Sequence, residues 1–302
     1  MKKILQKIFS VKNSENSLYK IIMIFGVKIK LRKKHSKINL NQISEMIGEN
    51  NKKQDEIIKC LLAIGKKLAM PEGVYQYKNV KFYVPYYPFD FIQKHIVDNN
   101  EFFEEDILRS LDEYIPDNAV ILDIGANIGN HTLYWNLASD KKVSRVHCFE
   151  PVLDTFKILE NNIEINNLKD KVKLYNVGLN DCSACAEFLT YRLANIGDTH
   201  LIANEQKQDG EMKLCKLDDI NLQENRIDFV KIDVEDMEVA CLRGAMNTLE
   251  KYKPIIFIES EYENINEVRN ILESIGYKLF KEYPHKNWLF KNSSREGQVN
   301  EI

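Results

Sequence analysis

Two glycines and an aspartate follow a short apolar segment near the middle of the chain, in the run Asp123-Ile124-Gly125-Ala126-Asn127-Ile128-Gly129. Glycine lets the backbone bend sharply and approach a ligand closely. The dinucleotide-binding pattern requires a second glycine two residues after the first, and Asn127 holds that position instead. The turn therefore argues against a bound pyrophosphate. Asp123 is placed to accept a hydrogen bond from a ligand ammonium group, directly or through water.

A second acidic residue, Glu150, ends the next apolar segment and is followed by Pro151. In nucleotide-binding α/β folds, a carboxylate about 20 residues beyond the turn accepts hydrogen bonds from the ribose hydroxyls. Pro151 ends the strand because it lacks a backbone donor. The alternative is that Glu150 only stabilises the start of the next helix. With the glycine turn upstream, we expect Glu150 to bind a ribose.

Two carboxylates, Asp233 and Glu235, follow the apolar segment 227–232. One carboxylate of such a pair can shape a cofactor pocket while the other accepts the proton of a hydroxyl nucleophile. The pair could instead hold a divalent cation, or cap the following helix. His200 is a second candidate base, because it lies in the insertion 190–210, and such loops often determine substrate specificity.

These segments together define a candidate site for a cofactor that carries a ribose and an ammonium but no phosphate, as S-adenosylmethionine does. Asn180 and Asp181 follow the third strand, where an adenine would lie, and Thr132 is near the start of the first helix. We expect the cofactor to contact Asp123, Gly125, Ala126, Asn127, Gly129, Thr132, Glu150, Pro151, Asn180 and Asp181. We expect catalysis to involve Asp233, Glu235 and His200, and we identify no metal ligand.

The combination of these motifs resembles the FkbM-type methyltransferases over roughly residues 80–290. The resemblance is carried by the run 121–129, by Phe149-Glu150-Pro151, by Val230-Lys231-Ile232-Asp233-Val234-Glu235 with Glu238, by Leu242-Arg243-Gly244-Ala245, and by Phe102-Phe103-Glu104 and Asn195-Ile196-Gly197. It implies a class I, S-adenosylmethionine-dependent O-methyltransferase. Asp236 stands where the family usually has glycine.

The elements that must position these residues alternate along the chain. Apolar segments at 120–124, 143–149, 172–177, 227–233 and 254–258 predict strands, and helical patterns at 130–138, 152–166, 236–251 and 264–275 lie between or after them. Such alternation predicts a mostly parallel sheet covered on both faces, a Rossmann-like α/β fold. No helix separates the last two strands, 277–280 and 288–290, so we expect an antiparallel final strand. A further helix is predicted at 101–115.

The segment before this domain has a different character. Residues 18–32 predict two short strands about Gly26, and residues 40–69 predict a helix whose spacing allows a short coiled coil or a single amphipathic helix. Met70-Pro71-Glu72-Gly73 marks a linker. We therefore divide the chain into a basic hairpin segment at 1–37, a helix and linker at 38–73, the catalytic domain at 74–292 and a polar tail at 293–302.

Charge is distributed unevenly along the chain. Residues 1–37 carry eleven Lys or Arg and one Glu, whereas the remainder carries 31 Lys or Arg and 44 Asp or Glu. The basic arm predicts an anionic partner, namely a membrane surface, a polyanionic glycan or the acidic body itself, although a solvated hairpin explains it equally well. The acidic body opposes nucleic-acid binding.

The cysteines and the absence of a long apolar run bear on location. Several of the six cysteines lie in apolar segments, as expected for reduced thiols in a reducing compartment. No stretch approaches the roughly 20 apolar residues of a spanning helix. We expect a cytoplasmic protein, with peripheral contact at the inner face of the membrane through the basic arm and self-association through residues 40–69.

The function that the sequence favours is O-methylation of a hydroxyl on a bacterial surface-glycan sugar or a related small molecule, with a glycan or a nucleotide sugar as the acceptor. Two alternatives remain open. One is a nicotinamide-dependent oxidoreductase, which the broken glycine pattern opposes. The other is a non-catalytic assembly protein with a vestigial pocket, which the intact motif residues oppose.

Overall fold

The computed structural model describes residues 70–188 and 212–295, Gly65, and the backbone of four strands outside these ranges. The chain divides into two compact units, residues 1–71 and 72–302. The predicted helix at 40–69 lies outside the described residues except for Gly65, which is helical. The two units are described separately below.

The first unit contains a small antiparallel sheet. Its strands are β1 (Phe9–Asn13), β2 (Tyr19–Ile24) and β3 (Val27–Arg32), in that spatial order. The predicted hairpin about Gly26 is present, since Ile24 pairs with Val27 across the turn. The strand β1 was not expected, and it pairs with β2 on the side opposite β3.

The second unit contains the remaining strands and the described helices. The strands are β4 (Val74–Tyr77), β5 (Val80–Tyr83), β6 (Ala119–Ile124), β7 (Val143–Phe149), β8 (Val172–Tyr175), β9 (Gly178–Leu179), β10 (Ala184–Phe188), β11 (Leu201–Asn204), β12 (Met212–Cys215), β13 (Phe229–Ile232), β14 (Ile255–Glu259), β15 (Tyr277–Tyr283) and β16 (Asn287–Asn292). The helices are α1 (Phe91–Asn99), α2 (Glu105–Leu111), α3 (Asn130–Leu137), α4 (Leu153–Ile165), α5 (Glu238–Arg243), α6 (Met246–Tyr252) and α7 (Ile265–Ser274).

The central sheet confirms the predicted fold class. Its order is β15-β16-β14-β13-β6-β7-β8, and the strands from β14 to β8 are parallel. The strand β16 is antiparallel to both neighbours and lies between β14 and β15, so β15 forms the edge. Every residue of β6 and β13 is buried, because helices cover both faces of the sheet.

The insertion after β8 forms a second sheet, where the sequence predicted only a loop region. Its order is β11-β10-β12-β9, with β9 parallel to β12 and the other pairs antiparallel. Residues 189–200 and 205–211 lie outside the described part of the chain. The expected position of His200 over the site is therefore untested.

Two predicted helices differ from the structure, and one helix was not predicted. The helix α1 was not predicted, because residues 74–90 and their surroundings are rich in aromatic residues and proline. The helix predicted at 101–115 begins only at Glu105, since Glu104 has a left-handed backbone with φ 58°. The helix predicted at 236–251 is two helices, α5 and α6, with Gly244 between them.

The length of the described helices decides whether any of them could span a membrane. Among the described residues the longest helix, α4, has 13 residues, well short of the roughly 20 that a bilayer span requires. No helix in this part of the chain is both long and apolar enough to cross a membrane.

Gly244 provides a test of how the sheet insertion packs on the central domain. A Cβ at this position would lie 1.9 Å from the carbonyl oxygen of Asn180. We expect Gly244→Ala to lower the free energy of unfolding by about 1–3 kcal/mol, because the backbone must move apart, even though alanine favours helix more than glycine does. Urea unfolding followed by tryptophan fluorescence measures this change.

The matched control is Arg243→Ala, one residue earlier. The Arg243 side chain is half exposed and pairs with a half-exposed Glu267, so its loss should change stability by less than about 0.5 kcal/mol. Equal unfolding midpoints for the wild type and Gly244→Ala would contradict the close packing of Gly244 against the carbonyl oxygen of Asn180.

Candidate active site

A cavity of about 580 Å³ opens at the carboxyl ends of β6, β7, β13 and β14. This is the edge where α/β folds of this kind bind ligands, because the loops leaving parallel strands diverge there. Ile124, Phe149 and Glu259, which end three of these strands, line the cavity together with residues of the following loops. The fold therefore brings the separate sequence motifs together around one cavity.

The glycine turn after β6 packs directly against the end of β13. Gly125 has φ +74°, and a Cβ there would lie 1.7 Å from the carbonyl oxygen of Asp233. The amides of Gly125 and Ala126 both donate to the carbonyl of Phe149, at 3.0 Å each. Only glycine satisfies both the backbone angle and the contact. The turn is thereby bound to two neighbouring strands.

Glu150 closes this turn from β7. Its carboxylate accepts hydrogen bonds from the amides of Asn127 at 3.0 Å and Val152 at 2.9 Å. Burial raises the pKa of Glu150 to about 7, although the two backbone donors oppose that rise. Each carboxylate oxygen accepts more than one hydrogen bond, so the group remains able to accept from ligand hydroxyls at the cavity wall.

A buried lysine connects the turn with two of the predicted aspartates. The ammonium of Lys231 donates to the carbonyl of Gly125 at 2.7 Å and lies 3.2 Å from Asp233 Oδ2 and 3.7 Å from Asp123 Oδ1. Burial alone would lower the pKa of Lys231, but the carboxylates of Asp233 and Asp123 raise it above its ordinary value. The lysine therefore carries its charge inside the protein.

Asp123 is placed beneath the cavity and is not part of its wall. It is completely buried, and Oδ2 accepts from the hydroxyl of Thr132 at 2.6 Å. Burial raises the pKa of Asp123, whereas Lys231 and Thr132 oppose that rise. The contact of Asp123 with a ligand ammonium, directly or through water, therefore stays a prediction. In this structure Asp123 faces Lys231 and the hydroxyl of Thr132 in the first turn of α3.

Another part of the cavity lining is strongly acidic. Asp233 and Glu235 belong to it, and Glu104 and Glu259 join them from the segment before α2 and from the end of β14. Burial, followed by the charge of Asp233, raises the pKa of Glu104 to about 7. Burial and the charges of Asp233, Glu104 and Glu235 raise the pKa of Glu259 to about 9.

His131 completes this wall from the first turn of α3. It is 8% exposed, and its Nε2 has no hydrogen-bond partner among the described residues, with Glu104 Oε2 3.9 Å away. Burial, together with the charge of Lys231, lowers the pKa of His131 well below its ordinary value. The imidazole is therefore neutral near pH 7.

The remaining predicted residues fall into three groups. Gly125, Ala126, Asn127, Glu150, Pro151, Asp233 and Glu235 line the cavity. Asp123, Gly129, Thr132, Asn180 and Asp181 do not line it. His200 lies outside the described residues. Asn180 is buried, its backbone amide donates to the carbonyl of Cys215 at 2.9 Å, and its own carbonyl oxygen packs against Gly244, between α5 and α6. Its contact with an adenine stays a prediction.

Among the aspartate, glutamate, lysine and arginine residues that line the cavity, three were not predicted as site residues: Glu104, Lys231 and Glu259. A signal was present for each of them. Lys231 is a charged residue inside a fully apolar strand, and Glu259 ends an apolar strand just as Glu150 follows one. Glu104 belongs to a motif of the family resemblance, but nothing in its local sequence places it beside Asp233.

The alternative of a divalent cation at Asp233 and Glu235 receives no support from the described residues. Within residues 70–188 and 212–295, no group of three or more His, Cys, Asp or Glu side chains is arranged to hold a metal ion. The positive charge 3.2 Å from Asp233 Oδ2 is the ammonium of Lys231.

The chain matches the model of a known family. The family model described as the methyltransferase FkbM domain matches residues 123–279. This range begins at Asp123 in the glycine turn and ends within β15, so it contains the turn, Glu150 and the carboxylates that follow β13.

Proteins of known name are also similar to this chain. The hexuronic acid methyltransferase AglP of Haloferax volcanii is 31% identical over 157 residues, which are 51% of this chain and 61% of that protein. Methyltransferase 1 of Beauveria bassiana is 27% identical, over 56% of this chain and 76% of that protein. The chain therefore spans about three fifths of the length of AglP.

Among solved structures, a methyltransferase FkbM from Methylobacillus flagellatus KT matches with a TM-score of 0.46 and 17% identity. The match covers 83% of this chain and 57% of that one.

The buried lysine generates a stability prediction. We expect Lys231→Met to lower the free energy of unfolding by about 3–5 kcal/mol, because Asp123 is left buried without an opposite charge. The double variant Asp123→Asn with Lys231→Met should recover part of this loss, since it removes both charges. Urea unfolding of the two single variants and the double variant gives the coupling energy.

Lys278→Met is the control for removing a strand lysine, because Lys278 lies on β15 and is exposed. A Lys231→Met loss no larger than that of Lys278→Met would show that the buried ion pairs contribute nothing.

Proposed function

Because this chain belongs to the methyltransferase FkbM domain family, we propose that it transfers a methyl group from S-adenosylmethionine to a hydroxyl group of a sugar. The single observation that supports this most is the shared cavity. It is lined both by the close-packed glycine turn with Glu150 and by the carboxylates Asp233 and Glu235. A cofactor with a ribose suits the turn and Glu150, and a hydroxyl acceptor suits the two carboxylates.

The residues present suit S-adenosylmethionine. The buried hydroxyl of Thr155 lines the cavity without a hydrogen-bond partner in the described residues, as does Nε2 of His131. Phe149, Leu179 and Leu214 form an apolar wall next to Glu150 that suits an adenine ring. Glu150 would hold the ribose, and the turn amides at 125–127 would face the amino-acid part.

The same lining opposes a nicotinamide dinucleotide. Among the described residues, the cavity is lined by no arginine and by a single lysine, Lys231, which already faces two carboxylates. A pyrophosphate would meet Glu104, Asp233, Glu235 and Glu259 without a free cation to balance its charge. The oxidoreductase alternative therefore lacks the charge that its cofactor requires.

The protein need not form a covalent bond to either reactant in this reaction. When bound, S-adenosylmethionine supplies a methyl group made electrophilic by a positively charged sulfur. The chain must align the acceptor hydroxyl with that methyl group and exclude competing water. Lys231 orients the carboxylate of Asp233 at 3.2 Å, and we assign Asp233, with Glu235 beside it, to accept the hydroxyl proton.

An aromatic rim supports a sugar as the acceptor. Phe91 is 53% exposed and lies edge-on against Phe103 at 5.7 Å between ring centroids, and both line the cavity. His95 contacts the same Phe103 ring at 5.3 Å. Exposed rings provide apolar area for the C–H faces of a sugar. The name of the relative AglP, a hexuronic acid methyltransferase, supports the same class of acceptor.

The setting of the reaction is part of the proposal. A bacterial surface glycan or its nucleotide-sugar precursor is the acceptor that we favour, and the reaction takes place in the cytoplasm. The excess of basic residues in 1–37 supports contact with an anionic surface such as the inner face of the membrane. Self-association through residues 40–69 remains part of the same proposal.

Binding of the methyl donor tests the cofactor side. We expect Glu150→Ala to weaken the binding of S-adenosylmethionine about 100-fold, because hydrogen bonds from the ribose hydroxyls to a carboxylate are lost. Isothermal titration calorimetry measures the affinity, and circular dichroism checks the fold. Glu160→Ala, an exposed position on α4, is the control and should bind normally. Unchanged affinity in Glu150→Ala would rule out the ribose assignment.

Transfer of label tests the reaction. We expect radiolabelled methyl groups from S-adenosylmethionine to enter fractionated cell glycans or nucleotide sugars, and Asp233→Asn to slow transfer by about 10²–10⁴-fold while still binding the donor. Labelling confined to nucleic acid or protein fractions would overturn the sugar assignment. Full activity in Asp233→Asn would show that another group accepts the proton.

A further inference from the structure

Exposed apolar side chains of the second unit gather near the mouth of the cavity. Five large apolar or aromatic side chains are well exposed in residues 70–188 and 212–295, and four of them lie in loops or helix starts at the cavity edge: Phe89, Phe91, Leu153 and Tyr262. The fifth, Phe280, lies in the middle of β15. Single exposed apolar residues are ordinary on a protein surface, but a group around an opening marks a site of contact.

The first part of this group is held in place by the start of α3. Phe91 packs edge-on against Phe103, whose backbone exchanges two hydrogen bonds with the buried side chain of Asn130, at 3.0 and 2.9 Å. His95 contacts the same Phe103 ring, and its Nε2 lies 3.1 Å from the carboxylate of Glu101. We call Phe91, Phe103 and His95 the Phe91 platform.

A second exposed ring, Tyr262, follows the end of β14 and is 60% exposed. It packs edge-on against the buried Trp288 of β16, at 5.8 Å between ring centroids, and the indole of Trp288 donates to the carbonyl of Ser260 at 3.1 Å. The amide of Ser260 in turn donates to the carbonyl of Lys286 at 3.0 Å, beside the cavity-lining His285. We call Tyr262 with Trp288 the Tyr262 platform. Both platforms are supported by the fold, so binding to them requires little ordering.

The strand order of the central sheet places Asp233 between the two platforms. The strands β16, β14, β13 and β6 are consecutive in the sheet. The Tyr262 platform belongs to β14 and β16, the Phe91 platform is bonded through Asn130 to the helix that follows β6, and Asp233 follows β13. Paired strands lie about 4.8 Å apart, so β16 and β6, with two strands between them, are separated by about 14 Å. A single sugar ring is shorter than this distance.

The cavity itself leaves limited room for the acceptor. Its volume of about 580 Å³ is within the range of roughly 300–1,000 Å³ that accommodates one drug-sized ligand. S-adenosylmethionine is a ligand of that size, so an acceptor larger than one sugar must lie mostly at the mouth. The two platforms offer it aromatic rings, which bury the C–H faces of sugars.

A lipid surface is the other partner that exposed apolar side chains suit. The charges at the mouth oppose it, because the carboxylates of Asp154 and Glu263 are exposed directly beside Leu153 and Tyr262. Acidic residues repel the anionic lipids of the cytoplasmic membrane surface. A chain of sugars therefore fits this part of the molecule better.

We propose that the acceptor is an oligosaccharide chain that crosses the cavity mouth, with one sugar on the Phe91 platform, another on the Tyr262 platform and the reacting sugar between them beside Asp233. The inference rests on the proposed function and narrows it, since a nucleotide sugar offers a single sugar ring and cannot occupy both platforms. Formation of the glycosidic bonds must then precede methylation.

The experiment compares one glycan in two lengths, with the full chain as the enzyme and radiolabelled S-adenosylmethionine as the donor. The probe is the polysaccharide fraction of source cells that lack this protein, used intact and after acid hydrolysis to single sugars, with nucleotide sugars as a third substrate. We expect kcat/KM to be about tenfold higher for the intact chain at equal sugar concentration, because contact with two further rings adds binding energy.

Tyr262→Ala should raise KM for the intact chain about fivefold to tenfold, toward the value for single sugars, because a stacked ring is lost. It should leave kcat within about twofold, since the reacting groups stay in place. Tyr262→Phe keeps the ring and should retain the low KM. The control is Phe280→Ala, which removes a similarly exposed ring from the middle of β15 and should leave KM unchanged. Calorimetry with S-adenosylmethionine checks that each variant is folded.

The outcomes separate the chain-binding inference from the proposed function. Equal kcat/KM for the intact chain and its single sugars, or transfer to nucleotide sugars alone, would overturn the inference while leaving sugar methylation intact. A KM that Tyr262→Ala does not change would overturn it too, and if that variant does not fold, the comparison of lengths decides. Absence of label from every carbohydrate would overturn the proposed function and this inference with it.

Discussion

The site depends on one buried ammonium group. Lys231 lies in the middle of the central sheet, where burial opposes its charge. It keeps that charge because Asp123 and Asp233 lie close to it and the carbonyl oxygen of Gly125 accepts a hydrogen bond from it. The Lys231 side chain thereby connects Asp123, the glycine turn and Asp233, the principal candidate base. Removing any partner would leave a buried charge uncompensated.

Several residues around the same point have a positive φ. Gly125 is one, and so are Glu235 and Asp236 in the turn after β13, at 46° and 73°. Glu104, which also lines the cavity, has a left-handed backbone too. Non-glycine residues adopt this conformation at a cost and mostly where the surrounding structure requires it. The angle of Asp236 explains why the related family usually has glycine there. Asparagine and aspartate are the residues that best replace glycine in this conformation.

The acidic residues of the cavity differ in what acts on their buried charge. Glu150 accepts two backbone hydrogen bonds, whereas nearby carboxylates act on Glu104 and Glu259. Burial raises the pKa of Glu150 and of Glu104 to about 7, and burial together with the neighbouring charges raises that of Glu259 to about 9. Backbone donors therefore stabilise the charged form of Glu150, and neighbouring carboxylates destabilise that of Glu259.

The sequence by itself determined the layers of the catalytic domain, the antiparallel final strand and the position of the ligand edge. These follow from short-range patterns: apolar strands ended by Asp123, Glu150 and Asp233, and a glycine turn with no tolerance for a side chain. The sequence alone did not show that Asp123 lies under the cavity, that Asn180 packs on Gly244, or that Glu104 and Glu259 meet Asp233. Those contacts join residues far apart along the chain, and their energies depend on burial and on the sum of nearby charges. Such quantities exist only once the sheet has brought its strand ends together.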